Sequence, residues 1–169
     1  MHKSWVNPKI ELRNSIIQGK GMFASTDIED GEVIVVWGGN SYTNKEGAMK
    51  ALEEGRFTMQ WDEDVFSVEI TEEDETPFLI NHSCDPNAWM NDAYTITARR
   101  VIQAGEEITA DYAMWDGDAS YNSSWDCQCK ATQCRKKITG KDWQDPHLQK
   151  LYQGHFSPLL NKRIENERS

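Results

Sequence analysis

Four cysteines set the tightest constraint on this chain. Three of them crowd one short loop as Cys127-Gln128-Cys129, then Cys134, a C-x-C-x4-C spacing. The fourth, Cys84, lies far upstream. A tetrahedral zinc takes four ligands at about 2.3 Å from sulfur. The loop offers three, Cys84 is the cysteine left to supply the fourth, and no thiol is then spare. Such a site is structural and closed, because four sulfurs leave no position for water. Free, partly buried thiols and a redox pair are the competing readings. The polar neighbours and the close spacing favour zinc, as does the lack of any export signal.

Nothing near the N-terminus resembles a secretory leader, and no stretch approaches the ~18 apolar residues of a membrane span. Both absences point to the cytosol, or to the nucleus in a eukaryote. The 169 residues suit one domain. Only 38% of them are hydrophobic, yet seven Trp, five Tyr and five Phe supply large buried areas. Eighteen Lys and Arg against twenty-eight Asp and Glu leave a net charge of -10. That charge argues against direct nucleic-acid binding through phosphates. It is compatible with a basic peptide partner and also with solubility alone.

The pattern predicts a mainly β body with a helical tail. Strand-like segments cover Glu32–Trp37, Val65–Ile70, Tyr94–Ala98 and Glu107–Thr109. Asp30-Gly31, Gly38-Gly39-Asn40 and Ala104-Gly105 are turn signals. Thr43 and Glu46 read as a capping box opening a helix with Ala48, Met49 and Leu52 on its face and Gly55 at its end. Asp145-Pro146 opens a second helix, with Leu148, Leu151 and Tyr152 on its face and Gly154 as its stop; Ser157-Pro158 opens a third.

Cys84 belongs to Asn81-His82-Ser83-Cys84-Asp85-Pro86-Asn87, a polar run after the apolar Pro77–Ile80. By composition alone this is an ordinary turn with a core histidine. The run is nevertheless similar to the NHSCxPN signature of SET-domain methyltransferases. Gly19-Lys20-Gly21-Met22-Phe23-Ala24 resembles that family's N-terminal Gly-x-Gly element, and Gly105-Glu106-Glu107-Ile108-Thr109-Ala110-Asp111-Tyr112 its GEEL-xx-DY element. The cysteine loop resembles the post-SET zinc loop, whose fourth ligand in the family is the cysteine of NHSC. The order matches, and the likeness covers about residues 12 to 138.

The resemblance implies an α+β, mainly β clip of several small sheets with a pseudoknot. A SET domain would span residues 12–115, a post-SET zinc loop 123–138, and helical tail 140–169. It implies S-adenosylmethionine as cofactor and the side-chain amine of a protein lysine as acceptor. Lys20, Gly21, Met22, Asn81, His82 and Tyr112 would meet the cofactor, and Cys84, Cys127, Cys129 and Cys134 would hold one zinc ion. Tyr112 would sit at the methyl-transfer centre, where a phenol of pKa about 10 stays neutral. A free lysine has a pKa near 10.4, so making it neutral at pH 7 costs about 4 kcal/mol. Burial in an apolar channel and a nearby sulfonium charge both lower that cost.

The chain departs from the family pattern at three places. Ala110 occupies the position two before the tyrosine where many members carry an aromatic, leaving product degree open. Val35-Val36-Trp37-Gly38-Gly39 replaces a strand that often reads E-Y-x-G-E, and its acidic contact is missing. The cysteine-rich region that precedes many histone enzymes is absent here. A SET fold that binds without transferring methyl is therefore the alternative. Trp115 and Trp125 are candidates for channel walls. Asp62-Glu63-Asp64 and Glu72–Glu75 could steer a basic peptide or be solvated loops.

Overall fold

The computed structural model describes residues 3–38, 40–56, 58–69 and 76–168. In chain order the first strands are β1 (Trp5–Val6), β2 (Ile10–Asn14), β3 (Lys20–Ala24), β4 (Val33–Val36) and β5 (Asn40–Thr43). Helix α1 (Lys45–Glu53) follows, then β6 (Thr58–Asp62), β7 (Val65–Glu69), β8 (Asn81–His82), β9 (Ala88–Met90), β10 (Thr95–Ala98) and β11 (Glu107–Ala110). Helices α2 (Pro146–Leu151) and α3 (Pro158–Arg168) close the chain.

The described strands make three small sheets, ordered β1-β4-β10-β9, β2-β3-β11-β8 and β5-β7-β6. Pairing is antiparallel throughout, except that β8 runs parallel to β11 with Asn81 opposite Thr109 and His82 opposite Ala110. That one parallel pair lays the Asn81–Asn87 run beside the strand that leads into Asp111-Tyr112. The mainly β expectation agrees with this architecture, and all four predicted strands are present within a residue or two; Ile70 lies outside the described residues. β-Branched Val33, Ile34, Val35 and Val36 explain the strongest of them.

One core joins the sheets and the tail. Met22, Ile34, Met90, Ile96, Ile108 and Met114 pack in the same cluster as Trp143, Leu148, Tyr152, Phe156, Leu160 and Ile164. Each fully buried aliphatic or aromatic side chain contributes roughly 1.5–3 kcal/mol, so the tail is part of the fold's stability. Among the described residues no helix is long and apolar enough to cross a membrane.

Two helix readings need correction. The N-cap of α1 is Asn44, whose side chain accepts the Gly47 N–H, and not Thr43. The buried face is Ala48 and Ala51, whereas Met49 and Leu52 are about half exposed. The small alanines let α1 lie close on the β5-β7-β6 sheet, which turns the two longer side chains into a cleft described below. In the tail the caps are as expected: Asp145 accepts the His147 N–H, and the Ser157 hydroxyl accepts the Leu160 N–H.

Candidate methyl-transfer site

The Gly-x-Gly element is shaped by its neighbours. Gly19 adopts a positive φ of 51°, and its carbonyl accepts the Ser15 N–H to close the loop. At Gly21 a side chain would collide with Glu107 Oε1 and Asn81 Nδ2. The missing Cβ therefore admits the Asn81 amide, which donates to Gln18 O, Lys20 O and Glu107 Oε1 at 3.1, 3.1 and 2.7 Å. Asn81 thus holds the glycine loop with its amide. Lys20 is exposed, while the Met22 side chain is fully buried in the core.

His82 links two parts of the site. Its Nδ1 accepts the backbone N–H of Tyr112 at 3.3 Å, so the ring proton resides on Nε2 and points at Cys84 Sγ, 3.3 Å away. Burial first, and the Arg135 charge after it, outweigh the carboxylates nearby and hold its pKa down at about 4, leaving the ring neutral. Tyr112 opens a 3-10 turn capped by Asp111. Its hydroxyl donates to Ile80 O at 2.9 Å, and burial raises its pKa well above the phenol range. The ring meets His82 edge-on at 5.1 Å and lies 5.6 Å from Trp115.

Asp111 is fully buried and collects partners from three segments. Arg135 donates to both of its oxygens, Tyr152 OH donates at 3.0 Å, and as N-cap it accepts the Ala113 N–H. Arg135 Nε reaches Asp142 Oδ2 at 3.0 Å. The motif acid beside Tyr112 is thereby bolted to the cysteine loop and to the tail. Arg135, Asp142 and Tyr152 were not singled out from sequence as site residues, since no local spacing marks them.

The four cysteine sulfurs all lie within 4.8 Å of one another. A tetrahedral zinc–sulfur set has sulfurs about 3.8 Å apart, so the cluster is close to that geometry and needs a contraction of about 1 Å at most. Backbone N–H groups already point at it: Arg135 N at Cys84 Sγ, 3.4 Å, and Cys84 N at Cys129 Sγ, 3.5 Å. Lys130 and Lys136 take positive φ values of 59° and 68° as the loop wraps the sulfurs. Burial pushes the Cys127 thiol up to about 12 and raises Cys84 further. A dication would offset that penalty by favouring the thiolates, so the donor set fits zinc. Trp125 packs on this cluster, and its ring lies 6.3 Å from His82.

On the other side of Tyr112 opens a cleft of about 1070 Å³. Trp37, Trp61, Phe66, Phe78, Trp115 and Tyr121 line it, together with Met49 and Leu52 from α1. Of the site residues expected from sequence, Tyr112 is the one that lines this cleft; Trp115 lines it and Trp125 does not. Trp37 meets Trp115 edge-on at 5.9 Å and donates its indole N–H to Pro77 O at 2.8 Å. Ala110 is fully buried in the core instead of facing the cleft.

The acidic run at the β6–β7 turn is neither free nor merely solvated. Asp62 accepts Lys162 Nζ at 2.8 Å, Glu63 takes both Nε and Nη2 of Arg163, and Asp64 accepts the Lys45 N–H. Arg163 also donates to Gly117 O at 2.6 Å, so α3 straps two walls of the cleft together. The second acidic run, Glu72–Glu75, lies outside the described residues.

The model of the SET domain matches residues 19–113, more than half of the chain. The chain belongs to the SET-domain family. Similar curated proteins include a histone-lysine N-methyltransferase, H3 lysine-36 specific, from Candida albicans, 29% identical over 153 residues. That match covers 83% of this chain and 18% of the relative. Histone-lysine N-methyltransferase ASHH3 of Arabidopsis thaliana is 31% identical over 142 residues, 77% of this chain and 38% of the relative. Human histone-lysine N-methyltransferase 2B is 31% identical over 139 residues, 75% of this chain and 5% of the relative. The SET-domain chain described here thus spans well under half the length of these relatives.

Proposed function

We propose that this SET-domain protein transfers methyl from S-adenosylmethionine to the side-chain amine of a protein lysine. One observation carries the reading: Tyr112 stands between the aromatic cleft and the Asn81–His82 strand with its glycine loop. Lys20, Gly21, Met22, Asn81, His82 and Tyr112 would hold the cofactor, and the residues suit a sulfonium. His82 and Tyr112 are neutral, and Arg135 is neutralised between Asp111 and Asp142, so these three set no net positive charge against a sulfonium. The cofactor, when bound, supplies an electrophilic methyl group.

The chain's own residues do the rest. The aromatic walls strip water from an entering lysine, which lowers its pKa toward the neutral, attacking form. The Tyr112 phenol stays protonated, is fixed by Ile80 O, and lines the path of the amine. Cys84, Cys127, Cys129 and Cys134 would hold one structural zinc ion, fastening the cysteine loop behind His82 and Tyr112. The acidic charge suits a basic protein substrate. Histones, named for the relatives above, are the first substrates to test, alongside a lysate of the native host. Incubation with isotope-labelled cofactor followed by mass spectrometry should find labelled lysine. Label on another residue type, or none in any sample, would refute the proposal.

A further inference from the structure

Asp116 is a cleft carboxylate that enters no ion pair among the described residues. Asp116 follows Tyr112 by one turn, its N–H bonded to Tyr112 O at 2.8 Å, and it lines the aromatic cavity. Among the described residues no Lys, Arg or His pairs with it. Glu63 on the same cavity wall is already neutralised by Arg163. A desolvated, unpaired charge is expensive, and burial first, then Asp118 and Asp142, push the Asp116 carboxyl up to about 6. Tyr121 lines the same cavity as Asp116, and burial, then the Asp116 charge, raise its phenol.

We propose that Asp116 receives an arginine of the substrate that flanks the target lysine. This rests on reading the cleft as the peptide site and narrows the class of peptide it takes. Three features support it. The cleft, at about 1070 Å³, is at the top of the size range for sites holding drug-sized molecules, so it accommodates a peptide segment and not one lysine alone. Its walls beside Asp116 are the flat rings of Trp115 and Tyr121, on which a guanidinium stacks better than an ammonium does. The carboxylate can accept a guanidinium by two parallel bonds, ending the isolation of its charge.

The test uses the full zinc-loaded chain and acetylated peptides with one central lysine. Arginine is placed at each of the three positions on either side, with alanine-substituted partners, and binding is measured by calorimetry. At one position or more, arginine should tighten binding about tenfold over alanine. In Asp116→Asn that advantage should vanish, while in Asp30→Asn, an equal charge change at an exposed site away from the cleft, it should persist. Thermal unfolding of Asp116→Asn should come at or above the parent's temperature, since the replacement is nearly isosteric and removes a desolvated charge. Equal binding of arginine and alanine peptides, no peptide binding at all, or an advantage retained in Asp116→Asn would each overturn the inference. Methyl transfer is scored separately on the same peptides. Transfer without an arginine advantage removes this inference and leaves the activity standing; an Asp116-dependent advantage without transfer to any protein does the reverse.

Discussion

Arg135 grips the carboxylate of Asp111 with both outer nitrogens, at 2.8 and 2.6 Å, across 24 residues of sequence. One partner neighbours Tyr112 and the other follows the last cysteine. The pair therefore joins the strand end that carries Tyr112, the residue proposed at the methyl-transfer centre, to the cysteine cluster, with Tyr152 and Asp142 bracing it from the tail.

Removing one side of this pair leaves a buried charge without compensation. Arg135→Ala should lower the free energy of unfolding by about 3–5 kcal/mol, read by denaturant titration. Arg135→Lys keeps the charge and loses the fork, so it should recover only part of that loss. A loss below about 1 kcal/mol for the alanine variant would show that the pair does not brace the site.

Tyr112→Phe deletes one hydrogen bond, to Ile80 O, and little volume. Stability should change by about 1 kcal/mol. Methyl transfer should fall by about a hundredfold or more, because the amine loses its positioning group. Full activity in the phenylalanine variant, measured by methyl incorporation, would remove Tyr112 from the assigned role.

The cysteine cluster makes a metal prediction. Elemental analysis of freshly purified protein should give close to one zinc per chain, and chelation should cut the melting temperature. Cys84→Ser should lower zinc content and weaken cofactor binding together, because Cys84 receives the N–H of His82 as well as facing the loop sulfurs. Unchanged zinc in that variant would contradict the ligand set.

Acid stability should carry a signature of Glu32. The hydrogen bond from Lys9, followed by those from the Glu29 N–H and Asn7, depresses its pKa from 4.5 to about 2. A depressed carboxylate contributes stability that is present above the unfolded pKa and is lost as pH falls through the folded one. The gap between the parent and Glu32→Gln should therefore be constant above about pH 5 and close between pH 4.5 and about 2. The side chains are partly exposed, so the gap should be small and shrink with salt. A gap that widens on acidification would contradict the assignment.

The strap from α3 to the β6–β7 turn predicts a salt effect. Arg163 is bidentate on Glu63 and also holds Gly117 O, so Arg163→Met should cost more than Lys162→Met, which loses one exposed pair screened by solvent. Raising the salt concentration should narrow the first difference less than the second. Hydrogen exchange at residues 58–62 and 116–118 should quicken in Arg163→Met, and unchanged exchange there would show that the strap is ornamental.

Much of this was legible along the chain where a signal is local. The strands at Val33–Val36 and Thr95–Ala98 follow from β-branched runs, and the caps at Asp145 and Ser157 from side chains that reach only two or three residues. The α1 face was misread because Met49 and Leu52 look like core residues by hydrophobicity, yet a cleft needs apolar walls too. Gly21, expected at the cofactor, also leaves room at its empty Cβ position for Asn81 and Glu107, a contact that no local spacing marks.

The sequence by itself determined the four cysteines, the order of the three motifs and the mainly β body, because residue identity and short-range periodicity carry those. Only the tertiary structure decided which charges meet. Arg135 could have answered any acid, Asp62 and Glu63 found their cations 100 residues away, and Asp116 pairs with none among the described residues. Ion pairing across a fold depends on where chain crossings bring side chains in space, and the burial that strengthens or strands a charge exists only once the core has closed.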